Sequence, residues 1–213
     1  MLRHRKRDIA VAVGASVLAG YVDAIGFLSL GGFFISFMSG NSTRLAVGLA
    51  GLPTEALIAG RLIASFVVGV MLGTLVGAWM QRARRPAVLL LVGGLLAVAA
   101  LLEGVEIHVA MMFAAAAMGA ENTTFERDGE VSIGLTYMTG TLVKLGQRLA
   151  GVLMGGPRFA WAPYLLLWLG LVTGAVAGAL VQPAVGLAGL WVGVGGALVL
   201  ALAALMISRS DAA

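Results

Sequence analysis

Apolar runs occupy almost the whole chain, at 9–30, 56–81, 87–102, 107–125, 160–182 and 184–207. Most approach the roughly 20 residues needed to cross about 30 Å of hydrocarbon. The run at 87–102 is the shortest. Of the 213 residues 60% are hydrophobic and only 11% charged, more apolar surface than a water-soluble fold of this size can hide. Lipid is therefore the expected solvent, and the sequence predicts an all-α polytopic membrane protein. The 31 glycines fit that reading, because small residues let membrane helices approach closely.

Charge sets the expected orientation. Arg3, Arg5, Lys6 and Arg7 precede the first run, and Arg82, Arg84 and Arg85 follow the second. Arg127, Arg158 and Arg209 fall at later connections, whereas Glu103 and Glu106 lie in one without Lys or Arg. The positive-inside rule then puts both termini in the cytoplasm. The net charge of +4 needs no nucleic acid to explain it. The first run is too long for a signal peptide and carries Asp23.

One stretch occurs twice. FMSGNSTRLAVGLAG, Phe37 to Gly51, returns as YMTGTLVKLGQRLAG, Tyr137 to Gly151. Gly69, Gly73, Gly77 and Gln81 align with Gly170, Gly174, Gly178 and Gln182, and Gly93-Gly94 with Gly195-Gly196. Gly20 falls near Gly119, which sets Asp23 beside Glu121 or Asn122. Counting crossings between Arg7 and Arg82 leaves no net crossing for the segment 31–52, so it should enter and return on one side. The segment 126–156 should do the same from the other side. The expected architecture is two inverted-topology repeats, 1–106 and 107–213, each with three transmembrane helices and a re-entrant strand and half-helix.

In each re-entrant segment β-prone residues, 33–37 and 130–137, precede a helical run. Ser39 and Thr139 are the expected N-caps, and Pro53 and Gly155-Gly156-Pro157 the expected stops. A half-helix starting near the bilayer midplane exposes unpaired N–H groups and a partial positive charge. Two such ends facing each other would bind an anion or a polar group with acceptor oxygens. Ser36, Ser39, Gly40 and Asn41 from the first repeat, and Thr136, Tyr137, Thr139, Gly140 and Thr141 from the second, are the candidate substrate-binding residues. Ser42 and Thr43 could add hydrogen bonds. Arg44 and Lys144, about one turn further on, either attract an anion or pair with carboxylates and snorkel. Arg148 lies nearer the end and reads as a snorkelling residue.

Asp23, Glu121 and Asn122 are the remaining polar candidates inside the spans. Intramembrane carboxylates are costly and point to function by default. Asp23 and Glu121 could take a proton, a coupling cation or a donor group of the substrate. The alternative is a structural ion pair, for instance with Arg44 or Lys144. The glycine ladders read as packing faces, because four-residue spacing keeps them on one side of a helix. Trp79, Trp161, Trp168 and Trp191 look partly like interface anchors. His4 and His108 have no convincing metal-ligand company, and there is no Cys. With no nucleophile elbow, HExxH or phosphate loop, neither an enzyme nor a cofactor is expected.

GYVDAIGFLSLGGFFISFMSGNSTRLAVGLA, Gly20 to Ala50, resembles the YoaK-like bacterial membrane proteins, a domain of unknown function. The G-Y-V-D-A and M-[ST]-G-N stretches carry the resemblance. By analogy, the strand and half-helix pairs also look like the core of nucleobase and sulfate-type anion transporters, which are longer and carry separate gate helices. A homodimer could supply such a scaffold here. The expected function is a transporter of a small polar or anionic solute, with Asp23 and Glu121 as candidate proton-coupling groups, in the bacterial inner membrane that the resemblance implies. A passive channel with the same site, and a non-transporting membrane scaffold or sensor, are the alternatives.

Overall fold

The structure is a computed structural model that describes residues 6–127, 130–131 and 134–212. For Lys6, Arg127, Glu130, Val131, Asp211 and Ala212 only the backbone is described. Arg3, His4 and Arg5 of the basic tail, and Ser132 and Ile133 of the second loop, lie outside the described residues.

Among the described residues eight α-helices follow in order: α1 (Lys6–Ser29), α2 (Met38–Gly51), α3 (Pro53–Trp79), α4 (Arg84–Leu101), α5 (Ile107–Asn122), α6 (Met138–Leu153), α7 (Ala162–Val185) and α8 (Leu190–Ala212). Two-residue strands β1 (Glu126–Arg127) and β2 (Glu130–Val131) pair antiparallel after α5. Among the described residues four stretches are long and apolar enough to cross a membrane: Arg7–Ser29, Pro53–Trp79, Gln81–Leu101 and Ala162–Ser210. The last holds both α7 and α8. Pro183 does not end α7; the break comes at Gly186, whose positive φ of 59° suits glycine. At 16 residues α5 is about 24 Å long, short of a full crossing on its own.

The helix ends follow local chemistry. Gly31 and Gly32, at φ 65° and 100°, close α1, with the Gly32 N–H donating to Phe27 O at 2.7 Å. Only Leu52 separates α2 from α3, and Pro53 supplies the first residue of α3, where its missing N–H costs nothing. Glu106 caps α5 by accepting from the His108 N–H at 3.1 Å.

The packing has a regular pattern. The closest pairs are α1 on α7, α5 on α3 and α4 on α8. Next come α4 with α5 and α2 with α3, then α1 with α8 and α6 with α7. Exchanging α1 with α5, α2 with α6, α3 with α7 and α4 with α8 returns this set of neighbours unchanged. α1 and α5 run in opposite directions: His108 at the start of α5 lies near Leu30, and Phe125 beyond its end packs with Val11, Ala12 and Ala15.

Glycines make the two tightest pairs possible. A Cβ on Gly174 would collide with the Val17 carbonyl, and one on Gly69 with the Ala116 carbonyl. Gly20 meets the backbone of Leu171 and Ala175; Gly119 meets that of Phe66 and Val70 in the same way. Gly178 against Tyr21 matches Gly73 against Ala120. These contacts pair Gly69 with Gly174 and Gly73 with Gly178. That is one turn further along than the sequence alignment, which set Gly69 against Gly170. Gly119 against Gly20 also makes Asn122 the counterpart of Asp23.

At one end of the bundle Asp8 pairs with Arg85 at 2.5 Å, Arg84 approaches Glu126 at 2.5 Å, and Arg7 donates to Ser210 Oγ at 3.1 Å. The Arg84 contact is an ion pair without hydrogen-bond alignment at Nη2, and Thr74 Oγ1 donates to the same Glu126 oxygen at 3.2 Å. At the other end Gln182 Nε2 donates to Ser29 Oγ at 3.3 Å. The start of α1, the start of α4 and the ends of α5 and α8 thus share one end.

Candidate functional site

After α1 the chain doubles back alongside it. Asp23 sits six residues before the last residue of α1, about 9 Å along the axis. Its Oδ1 accepts from the Ile35 N–H at 2.6 Å and the Ser36 N–H at 2.9 Å. The segment 33–37 is irregular rather than a strand, because no neighbouring strand lies alongside it. Side chains replace a sheet partner. Asn41, fully buried, donates through Nδ2 to Phe34 O at 2.6 Å and accepts from the Phe34 N–H at 3.0 Å. Ile35 is buried beneath α1, where a Cβ on Gly26 would strike its side chain.

The second loop repeats the theme with other chemistry. Leu135 is buried among Val11, Ala12, Ala15 and Leu167, and its carbonyl accepts from Ser16 Oγ at 3.3 Å. Thr136 Oγ1 donates to Asn122 Oδ1 at 3.1 Å, and Asn122 Nδ2 donates to Met118 O at 2.9 Å. Among the described residues strand pairing is confined to β1 and β2, which takes in Glu130 and Val131 of the β-prone stretch but not residues 134–137.

The two loops and the two short helices they lead into line one cavity of about 270 Å³. Ser36, Phe37, Met38 and Ser39 come from one side, and Thr136, Tyr137, Met138, Thr139 and Gly140 from the other. Phe66 of α3 closes the wall. Nothing in the sequence marked Phe66, an apolar residue within an apolar span.

Ser39 and Thr139 are not N-caps. Phe37 and Tyr137 hold those positions, without a side-chain cap bond, so both hydroxyl residues sit inside the first turn. Phe37 O accepts from the Gly40 and Asn41 N–H groups, and Tyr137 O from Thr141. The N–H groups of Ser39, Thr139 and Gly140 have no backbone acceptor among the described residues.

The other candidates are placed elsewhere. Gly40 packs against the Phe34 and Phe37 rings, whereas a side chain at Gly140 would meet open space. Asn41 spends its amide on Phe34, and Thr141 is buried. Arg44 lies 4.6 Å over the Phe33 ring and 3.7 Å from Glu55, away from the cavity and from Asp23. Lys144 is exposed and makes no ion pair with a described residue. Ser42 and Thr43 bond back to Met38 O and Ser39 O. Asp23 and Asn122 stand behind the cavity wall and hold Ser36 and Thr136. Glu121, fully buried, has no hydrogen-bond partner at either oxygen among the described residues. The cavity wall is therefore uncharged, made of hydroxyls, aromatic rings and helix starts. No group of three or more His, Cys, Asp or Glu that could hold a metal occurs among the described residues.

Long apolar helices joined by short connections, with large apolar side chains such as Leu153, Leu180, Val199 and Met206 facing outward, define a polytopic integral membrane protein. Residues 11–203 match the family model described as protein of unknown function (DUF1275), and the chain belongs to that family. It is 38% identical to the UPF0700 transmembrane protein RA0705 of Rhizobium meliloti, over 98% of this chain and 92% of that one. It is 31% identical to the UPF0700 transmembrane protein YoaK of Bacillus subtilis, over 62% of this chain and 63% of the relative. No solved structure matches it.

Proposed function

We propose that the protein is a transporter of a small polar or anionic solute, bound where two half-helix N-termini converge near the bilayer midplane. One observation carries this reading: the starts of α2 and α6 line the same cavity. Helix starts present N–H donors and positive dipole ends, and the Ser39 and Thr139 side chains add hydroxyls. Without cations in its wall, the site would hold its solute by dipoles and hydrogen bonds rather than by ion pairing.

In this reading residues 1–106 and 107–213 are two inverted repeats, each with three crossings and a re-entrant half-helix. The exchangeable packing pattern and the opposed directions of α1 and α5 support it. The shared basic end of α1 and α4 would face the cytoplasm of a bacterial inner membrane, with both termini inside. A homodimer would cover the exposed outer faces of α2 and α6.

A thermal-shift screen of the purified protein against sulfate, chloride, small carboxylates and nucleobases tests the site. At least one probe should raise the unfolding temperature, and Ser39→Leu/Thr139→Leu should abolish that rise. No shift with any probe, or a shift surviving the double substitution, counts against the cavity as the solute site. Uptake of the active probe into proteoliposomes against its gradient separates a transporter from a channel.

A further inference from the structure

Beyond the first turns of the helices around the cavity, two carboxyl side chains remain among the described residues, Asp23 and Glu121, and their surroundings differ in kind. Asp23 accepts two backbone N–H bonds and so has a fixed task in holding the first loop. Glu121 has none. It is 0% exposed, and both of its oxygens lack a hydrogen-bond partner among the described residues. In the matching place on α1, one residue before Asp23, stands Val22, which is also fully buried. The second half of the chain thus puts a carboxyl where the first half has an ordinary core residue.

The elements packed on α5 offer no counter-charge. On α1, Asp8 is paired with Arg85, Arg7 bonds Ser210, Asp23 holds the loop, and Tyr21 donates to Gly189 O. On α4, Arg84 faces Glu126 and the Thr123 carbonyl. On α3, Glu55 pairs with Arg44, while Arg61 lies at the opposite end near His108. None of these reaches Glu121 with an ion pair or a hydrogen bond. A fully buried carboxylate without a partner gives up the solvation of a full charge, whereas an unpartnered neutral acid gives up only that of a polar group. The neutral acid is the form this enclosure accommodates.

We propose that Glu121, and not Asp23, is the proton-binding site of this protein, neutral in the closed arrangement and releasing its proton when the last turn of α5 opens. Glu121 adjoins Asn122, which holds Thr136 on the cavity wall at 3.1 Å. Opening that turn to let water reach the carboxyl therefore moves the wall of the solute site. The part the proton plays in transport rests on the reading given above; the proton site itself does not.

Infrared spectroscopy of the full chain in lipid tests this. At neutral pH the wild type should show the carbonyl stretch of a protonated carboxylic acid. The band should disappear in Glu121→Gln and persist in Asp23→Asn. Should Glu121→Gln fail to fold, carboxyl-13C glutamate in the wild type must shift the band and carboxyl-13C aspartate must not. Asn122→Ala, which unties α5 from the wall, should speed the band's shift in D2O. An absent band, one that survives Glu121→Gln, one that follows aspartate labelling, or exchange unaffected by Asn122→Ala would overturn the proposal. If the band behaves as expected but no probe solute binds or moves, the transport reading fails and the proton site stands.

Discussion

The loops leading into α2 and α6 carry related sequences and line one cavity, yet they are held differently. The first is bound by four side-chain bonds to its backbone, two from Asp23 and two from Asn41. Among its described residues the second has one side-chain tie, Thr136 to Asn122, and an anchor at the Leu135 carbonyl. Gly40 is wedged against aromatic rings, whereas Gly140 faces open space. Most of α6 is exposed. The start of α2 is thus the more firmly held wall of the cavity, and the start of α6 the less firmly held one. Under the transport reading proposed above, a solute that enters and leaves needs one of each.

The largest expected effect comes from what the two halves share. Gly174→Val and Gly69→Val each drive a side chain into a facing backbone carbonyl, and each should cost about 3 kcal/mol or more. Thermal unfolding in detergent should show both strongly destabilised and similar. A benign result for one alone would break the equivalence of α1/α7 with α5/α3.

Next come the clamps. Asp23→Ala strips two loop N–H groups of their acceptor and should cost about 2–4 kcal/mol. Asn41→Leu frees both polar groups of Phe34 and should cost about 1–3 kcal/mol. Asn122→Ala removes a single hydroxyl partner from the second loop and should cost about 1 kcal/mol. Equal losses for Asp23→Ala and Asn122→Ala would erase the contrast between a more firmly and a less firmly held wall. The smallest effect belongs to the cations. Arg44→Ala should cost below about 1 kcal/mol, because its partner Glu55 is partly exposed, and Lys144→Ala should change stability least.

Much of the architecture was legible in the sequence. The apolar runs mark the long helices to within a few residues, and the repeated motif marks the two short ones. The ladder's register was not legible, for a physical reason: glycines spaced four apart overlay themselves after a shift of one turn. Residues 33–37 read as a strand from side-chain type, but a strand needs a neighbour, and Asp23 and Asn41 supply the bonds instead. Ser39 and Thr139 read as caps from residue type, yet each cap lies two residues earlier, at Phe37 and Tyr137, so both hydroxyl residues fall in the first turn and line the cavity. Arg44 pairs with Glu55 rather than Asp23, a contact set by the tight turn at Leu52 that no local pattern reveals. Asp23 and Glu121 looked alike as intramembrane acids; their partners tell them apart.

The chain has no cysteine, so introduced thiols report without background. The most direct test of a shared cavity is a Ser39→Cys/Thr139→Cys protein in native membranes, treated with a short bifunctional thiol reagent and examined for an intramolecular link. We predict efficient linking within one chain, slowed by whichever probe solute stabilises the wild type. Two thiols that each react with a monofunctional reagent but never join would show that the starts of α2 and α6 do not meet.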